Sequence, residues 1–270
     1  MNKVLISFLV LLCAASHPLS ASAIEIKIAE AVKLEFRTQT GLPIVDRSQH
    51  SECDHYKLPA SEMSASATYA HQQGWAVLNE LSIGVFSFVA ISPSIEPGLS
   101  GWCWIELGEV AVFESNKLIG TIHDPSQTQA KLGHIERIGE EQFRILNTEN
   151  IPISDVQVRS DQIMVTTPSY SISHCDGRVK TPNIYSTTMP AARDEILKLG
   201  WDPVISDHGD RELLGNELYF YNRGIKELVS CSGTGAGFCA FQYKSRESGA
   251  ILDLITVGEN YSVHRLIVEC

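Results

Sequence analysis

The sequence predicts an α+β protein, mainly antiparallel β, in which an N-terminal β-sandwich or barrel-like unit over 24–178 is followed by a small helix-on-sheet unit over 179–270. Three observations predict it. Short runs rich in Val, Ile and Phe recur from Leu81 onward and are punctuated by Gly, Pro, Asn and Asp, as strands joined by tight turns are. One well-patterned helix, Met189 to Leu199, interrupts them late in the chain. Six cysteines follow a leader-like N-terminus, an even set that suits covalent stapling.

The composition is that of an ordinary globular protein: 270 residues, 44% apolar and 20% charged, which excludes collagenous, low-complexity and wholly disordered classes. Residues 1–23 read as a signal peptide. Lys3 supplies the positive start, Val4 to Ala15 is an apolar run too short to span a bilayer, and Ala21-Ser22-Ala23 is a cleavage motif. Cys13 follows Leu11 and Leu12 rather than a small residue, which argues against lipidation. Beyond residue 23 no second run approaches membrane-spanning length, so no membrane span is expected. Without Lys3 the chain holds 20 basic and 32 acidic residues, a net charge of −12. That balance disfavours nucleic acid and anionic lipid and is compatible with a basic protein partner. A periplasmic or secreted location is expected.

Along the chain, Ile24 to Phe36 fits both period-2 alternation and a helix face, so strand and helix stay open there. Gly41 to Pro59 reads as loop, and the Ala- and Ser-rich stretch Ser61 to Leu81 as helix. Strands are expected over Ile83–Ile91, Trp102–Phe113, Lys117–Ile122, Gly133–Ile138, Gln142–Leu146 and Gln162–Thr167. Glu114-Ser115-Asn116 and Gly139-Glu140-Glu141 read as hairpin turns. In the helix, Pro190 suits the first turn, Ala192, Ile196 and Leu199 share a face, Asp194 and Lys198 are placed to pair, and Gly200 suits the left-handed end. Further strands are expected at Leu218–Tyr221, Glu227–Cys231, Cys239–Tyr243, Ala250–Val257 and Val263–Glu269.

Cys53, Cys103, Cys175, Cys231, Cys239 and Cys270 predict three disulfides, for which six cysteines allow 15 connectivities. One has a local argument. Strand-like runs flank Ser232 to Gly237, so the chain reverses and sets Cys231 opposite Cys239. The turn residues Ser232, Gly233, Thr234 and Gly235 are the candidate binding loop, because turns held by rigid strands are frequent recognition sites. A phosphate-cradle reading of the same glycines fails, since the strand-like Phe238 to Phe241 follows them rather than a helix N-terminus.

The stretch Thr181-Pro182-Asn183-Ile184-Tyr185-Ser186-Thr187-Thr188-Met189-Pro190-Ala191-Ala192-Arg193, with Ile196-Leu197 and Leu199-Gly200-Trp201, resembles the start of a PASTA repeat over residues 181–205. That family opens on a Pro-Asn or Pro-Asp strand, enters a helix through small residues and leaves it through Leu-x-x-x-Gly. The resemblance implies a small extracytoplasmic helix-on-sheet module and cell-wall material, peptidoglycan above all, as ligand. There is a single copy, and the glycine-rich hairpin after it is outside the family pattern.

Catalytic and metal signatures are sparse. Asp207-His208-Gly209-Asp210 lacks a third ligand contribution and reads as a polar surface loop. Cys53 near His55 is the raw material of a thiol nucleophile, but a bridged thiol is no nucleophile. Trp102 and Trp104 share a strand face and are expected to pack in the core rather than form a sugar platform. No catalytic site, metal or cofactor is expected. The sequence therefore points to an exported, non-enzymatic binding protein; the alternatives are a periplasmic inhibitor or immunity protein that neutralises a basic toxin or lysozyme, and a hydrolase with an unsigned carboxylate site.

Overall fold

A computed structural model describes residues 24–46, 53–98, 103–126, 132–175, 177–209, 211–233 and 237–270. The signal-peptide reading lies outside them, as do Trp102, Asp210, Thr234 and Gly235. The N-terminal part begins with β1 (Glu25–Ile28) and β2 (Glu35–Thr38), so the ambiguous opening stretch is two strands. Helix α1 (Ala65–Gln72) is capped by the Ser64 hydroxyl, which accepts from the Ala67 N–H.

The helix expected through Leu81 stops at Gly74, whose φ is +94° and whose missing side chain lets the Val45 carbonyl approach; an added Cβ would sit 1.9 Å from that oxygen. Val77 therefore belongs to β3 (Ala76–Ile83). After it come β4 (Phe86–Ser92), β5 (Ser94–Pro97), β6 (Cys103–Glu106), β7 (Glu109–Glu114) and β8 (Lys117–His123). The single strand expected over Trp102–Phe113 is two, divided at Leu107 (φ +52°) and Gly108.

The remaining strands of this part are β9 (Leu132–Gly139), β10 (Gln142–Asn147), β11 (Pro152–Val158) and β12 (Gln162–Thr166). Both expected hairpin turns form. Ser115 and Asn116 have φ of +47° and +66° between the paired Glu114 and Lys117, the geometry of a two-residue hairpin loop. Glu140 and Glu141 join the paired Gly139 and Gln142.

Two five-stranded sheets result, ordered β1-β12-β11-β10-β9 and β2-β8-β7-β4-β3. They share one apolar core, in which Phe88 of β4 and Phe143 of β10 stand with ring centroids 4.5 Å apart. This is a sandwich without a closed barrel. The outer face of the second sheet is covered by Ala67 and Ala70 of α1 and by Trp75, which cluster with Phe113 of β7. Strand β4 is thus buried on both sides, which explains why it reads as an unbroken apolar run rather than an alternating one.

The C-terminal part holds the hairpin β13 (Ser171–His174) and β14 (Val179–Pro182), helix α2 (Met189–Lys198), β15 (Trp201–Pro203), helix α3 (Gly215–Asn222), and β16 (Leu228–Cys231), β17 (Cys239–Ser245), β18 (Ile251–Val257) and β19 (Ser262–Glu269). The 178/179 boundary falls in the turn of the β13–β14 hairpin. Helix α2 lays Met189, Ala192 and Ile196 on the sheet β15-β17-β18-β19, and Gly200 has the left-handed φ of +85° its position requires. Lys198 pairs with Glu195 at 2.7 Å rather than with Asp194. The aromatic run Leu218–Tyr221 is helical, not a strand, because Glu217 and Phe220 face inward one turn-spacing apart.

Three disulfides form: Cys53–Cys103, Cys175–Cys270 and Cys231–Cys239. They fit an oxidising environment. No helix among the described residues is long and apolar enough to cross a membrane.

Candidate functional site

The hairpin selected from sequence is present. Cys231 of β16 lies opposite Cys239 of β17, and the Ser232 N–H donates to the Phe238 carbonyl at 2.7 Å, so the bridge locks the last register position before the turn. Ser232 and Gly233 are exposed; Thr234 and Gly235 lie outside the described residues.

Helix α3 sits beside this hairpin, and sequence reasoning missed it. Its buried Glu217 links the two: the carboxylate accepts from Arg211 at 2.7 and 3.2 Å and from the Cys231 N–H at 3.1 Å. Burial works against that charge, but the Arg211 and Cys231 hydrogen bonds outweigh it, and the Glu217 pKa lies below its ordinary value. Phe220 anchors the helix, with its ring against Phe241 at 4.9 Å and Tyr261 at 4.6 Å. The Tyr261 hydroxyl donates to Asn216 at 2.9 Å.

The outward face is apolar where a surface helix is ordinarily polar. Leu218 and Tyr221, three residues apart on α3, are exposed, and so is Leu214, the extended residue that precedes the helix, by 64%. Tyr219 and Val229 are also exposed. Two cations border the aromatics: the Arg223 guanidinium lies 3.6 Å from the Tyr219 ring centre and the Lys226 ammonium 2.8 Å from that of Tyr221. The face thus offers apolar area, aromatic edges and positive charge in a chain of net charge −11. The signal available in sequence was the three-residue spacing of the buried Glu217 and Phe220 and of the exposed Leu218 and Tyr221, outweighed by the strand preference of Tyr and Phe.

The other candidates separate clearly. Cys53 is bridged, so the thiol reading of Cys53 with His55 falls away. Asp207 caps the Gly209 N–H at 2.9 Å and His208 contacts Arg211, and no cluster able to hold a metal occurs among the described residues. Trp104 is 47% exposed and does not pack in the core as expected, because the partner face of β6 carries the buried Cys103 and Ile105. Neither of two hollows brings carboxylates together. One of about 320 Å³ lies at Tyr69, Phe113 and Lys117, and the other, of about 250 Å³, is lined by one acid among the described residues, Glu136.

No family model matches the chain, and no curated protein or solved structure matches it.

Proposed function

We propose that this chain is an exported, non-enzymatic binding protein of the periplasm or the extracellular medium, and that α3 together with the Cys231–Cys239 hairpin is its recognition surface. The observation that carries the reading is the set of exposed apolar side chains Leu214, Leu218 and Tyr221, with Arg223 and Lys226 beside the aromatics and α3 braced to the hairpin through Glu217. Apolar area beside fixed cations suits a ligand with a compact hydrophobic or sugar body and an anionic group. Cell-wall peptidoglycan has that chemistry in its glycan and its stem carboxylates, and the PASTA-like segment 181–205 supports the same class.

Cosedimentation with purified peptidoglycan tests it. The mature, disulfide-bonded chain should be retained at moderate salt, and the double variant Leu218→Ala/Tyr221→Ala should weaken retention about tenfold, as expected for truncating two central anchors. Lys226→Glu should weaken it further at low salt than at high salt. Absence of retention by the unaltered chain overturns the wall reading, and salt-sensitive capture of a cationic protein such as lysozyme in its place would favour the inhibitor alternative.

A further inference from the structure

A second concave site lies away from α3, where β9 of the sandwich meets the β13–β14 hairpin and alternate residues of β19. Its volume of about 250 Å³ is below that of pockets for drug-sized ligands, so its occupant has the size of an amino acid. One wall is apolar, made by Ile138, Ile172, Leu266 and Val268. The other is polar, made by Glu136, His174, Thr181 and Tyr185.

Behind the polar wall stands Arg144 of β10, the cross-strand neighbour of Glu136 and fully buried. Its Nε and Nη2 donate to Asp155 at 2.6 and 3.0 Å, while the buried Nη1 has no acceptor among the described residues. A buried guanidinium N–H left without an acceptor is costly, and native proteins rarely leave one unanswered. Asp155 has nothing more to give, since Ser169 donates to it twice at 2.7 Å.

Among the cleft groups, Tyr185 is held as a donor at neutral pH. Burial, with the nearby Glu136 charge adding to it, pushes the Tyr185 phenol up to about 12, so it keeps its proton. Burial, aided by the Arg144 charge, lowers His174, whose Nε2 is 2.8 Å from the Thr181 hydroxyl. Burial raises the Glu136 carboxyl against the pull of Arg144 and Arg265. Arg137 lines the cleft, its guanidinium donating to the Ser82 and Glu140 carbonyls at 2.6 and 3.0 Å, and the charges of Arg144 and Arg265 act on Glu136, the one acid side chain among the described lining residues.

We propose that this cleft binds a small organic carboxylate, with its carboxylate toward Tyr185 and its apolar body on Ile138, Ile172 and Leu266. The site is independent of the α3 surface. Titration calorimetry on the mature, disulfide-bonded chain tests it with hexanoate and N-acetylalanine, each against its primary amide. The acids should bind saturably and the amides about tenfold more weakly, equivalent to about 1.4 kcal/mol.

Tyr185→Phe keeps the ring and removes the donor; it should weaken acid binding several-fold with an unchanged near-ultraviolet circular dichroism spectrum. Leu266→Trp fills the cleft and should abolish binding, and Tyr221→Ala on α3 should leave it unchanged. The proposal is overturned by equal binding of acid and amide, by no saturable binding of either acid, or by acid binding that Tyr185→Phe leaves intact.

Discussion

Arg144 and Asp155 form the most demanding side-chain pair in the molecule. They face each other across β10 and β11 on the outer side of the first sheet, both buried, with Ser169 completing the carboxylate's hydrogen bonds. Burial alone would raise the Asp155 pKa; the bonds from Arg144 and Ser169 overcome it and hold the carboxyl below its ordinary value. Removing one partner leaves a buried charge alone, whereas removing both leaves apolar neighbours. Arg144→Met should therefore cost about 3–5 kcal/mol in denaturant unfolding, and Arg144→Met/Asp155→Leu markedly less. A double-variant loss equal to the sum of the Arg144→Met and Asp155→Leu losses would show that the pair is not coupled. The buried Glu227 is a second such centre, accepting from Arg193 at 2.6 Å and from the Tyr243 hydroxyl at 2.9 Å, and burial together with its charge keeps that phenol protonated. Neither pairing was legible in the sequence, because Arg144–Asp155 depends on the register of β10 and β11 and Arg193–Glu227 on where α2 packs. Strand β11 in particular escaped notice, since Pro152, Ser154 and Asp155 break its alternation.

At the scale of elements, the disulfides differ in what they constrain. Cys231–Cys239 closes a separation of 8 residues within one hairpin, and Cys175–Cys270 closes 95, tying the β13–β14 turn to the end of β19. On chain-entropy grounds the first contributes about 2.5 kcal/mol and the second nearly 5 kcal/mol. Cys175→Ser/Cys270→Ser should thus lower the unfolding midpoint more than Cys231→Ser/Cys239→Ser. The latter should instead raise amide exchange locally in β16 and α3, where Cys231 donates to Glu217. The reverse order of stabilities would refute the loop-length argument here. Elements with strong local punctuation were readable: α2 between Pro190 and Gly200, and the turn Ser115-Asn116. Short elements without it were not. Helix α3 has eight residues, too few for intrinsic propensity to decide, and packing of Phe220 on Phe241 and Tyr261 decides instead.

For the whole molecule, pH response follows from its half-buried histidines. Burial lowers the pKa of His134, and that of His174 and His264 likewise. For such groups the unfolded chain binds protons first, so their contribution is full above the unfolded value near 6.5 and is lost as pH falls through the lower folded value. Glu136, raised by burial, acts in the opposite sense: its contribution is full below the ordinary carboxyl value and declines as pH rises through its folded value. Three groups against one predict a falling melting temperature between about pH 7 and pH 5. His134→Asn/His174→Asn should flatten that slope, and an unchanged slope would remove the histidines as its cause.

By itself the sequence determined the class of the fold, the strand-and-turn rhythm, α2 with its two ends, and the hairpin bridge Cys231–Cys239. These are properties of neighbours along the chain: periodicity, backbone handedness at turns, and cysteines brought together by a short reversal. Only the tertiary structure decided the other two cysteine pairings, the helical state of α3, the outward turn of Trp104, the Arg144–Asp155 pair and the cleft beside it. Those depend on which distant surface covers a given face, and burial by a remote partner leaves no trace in local spacing.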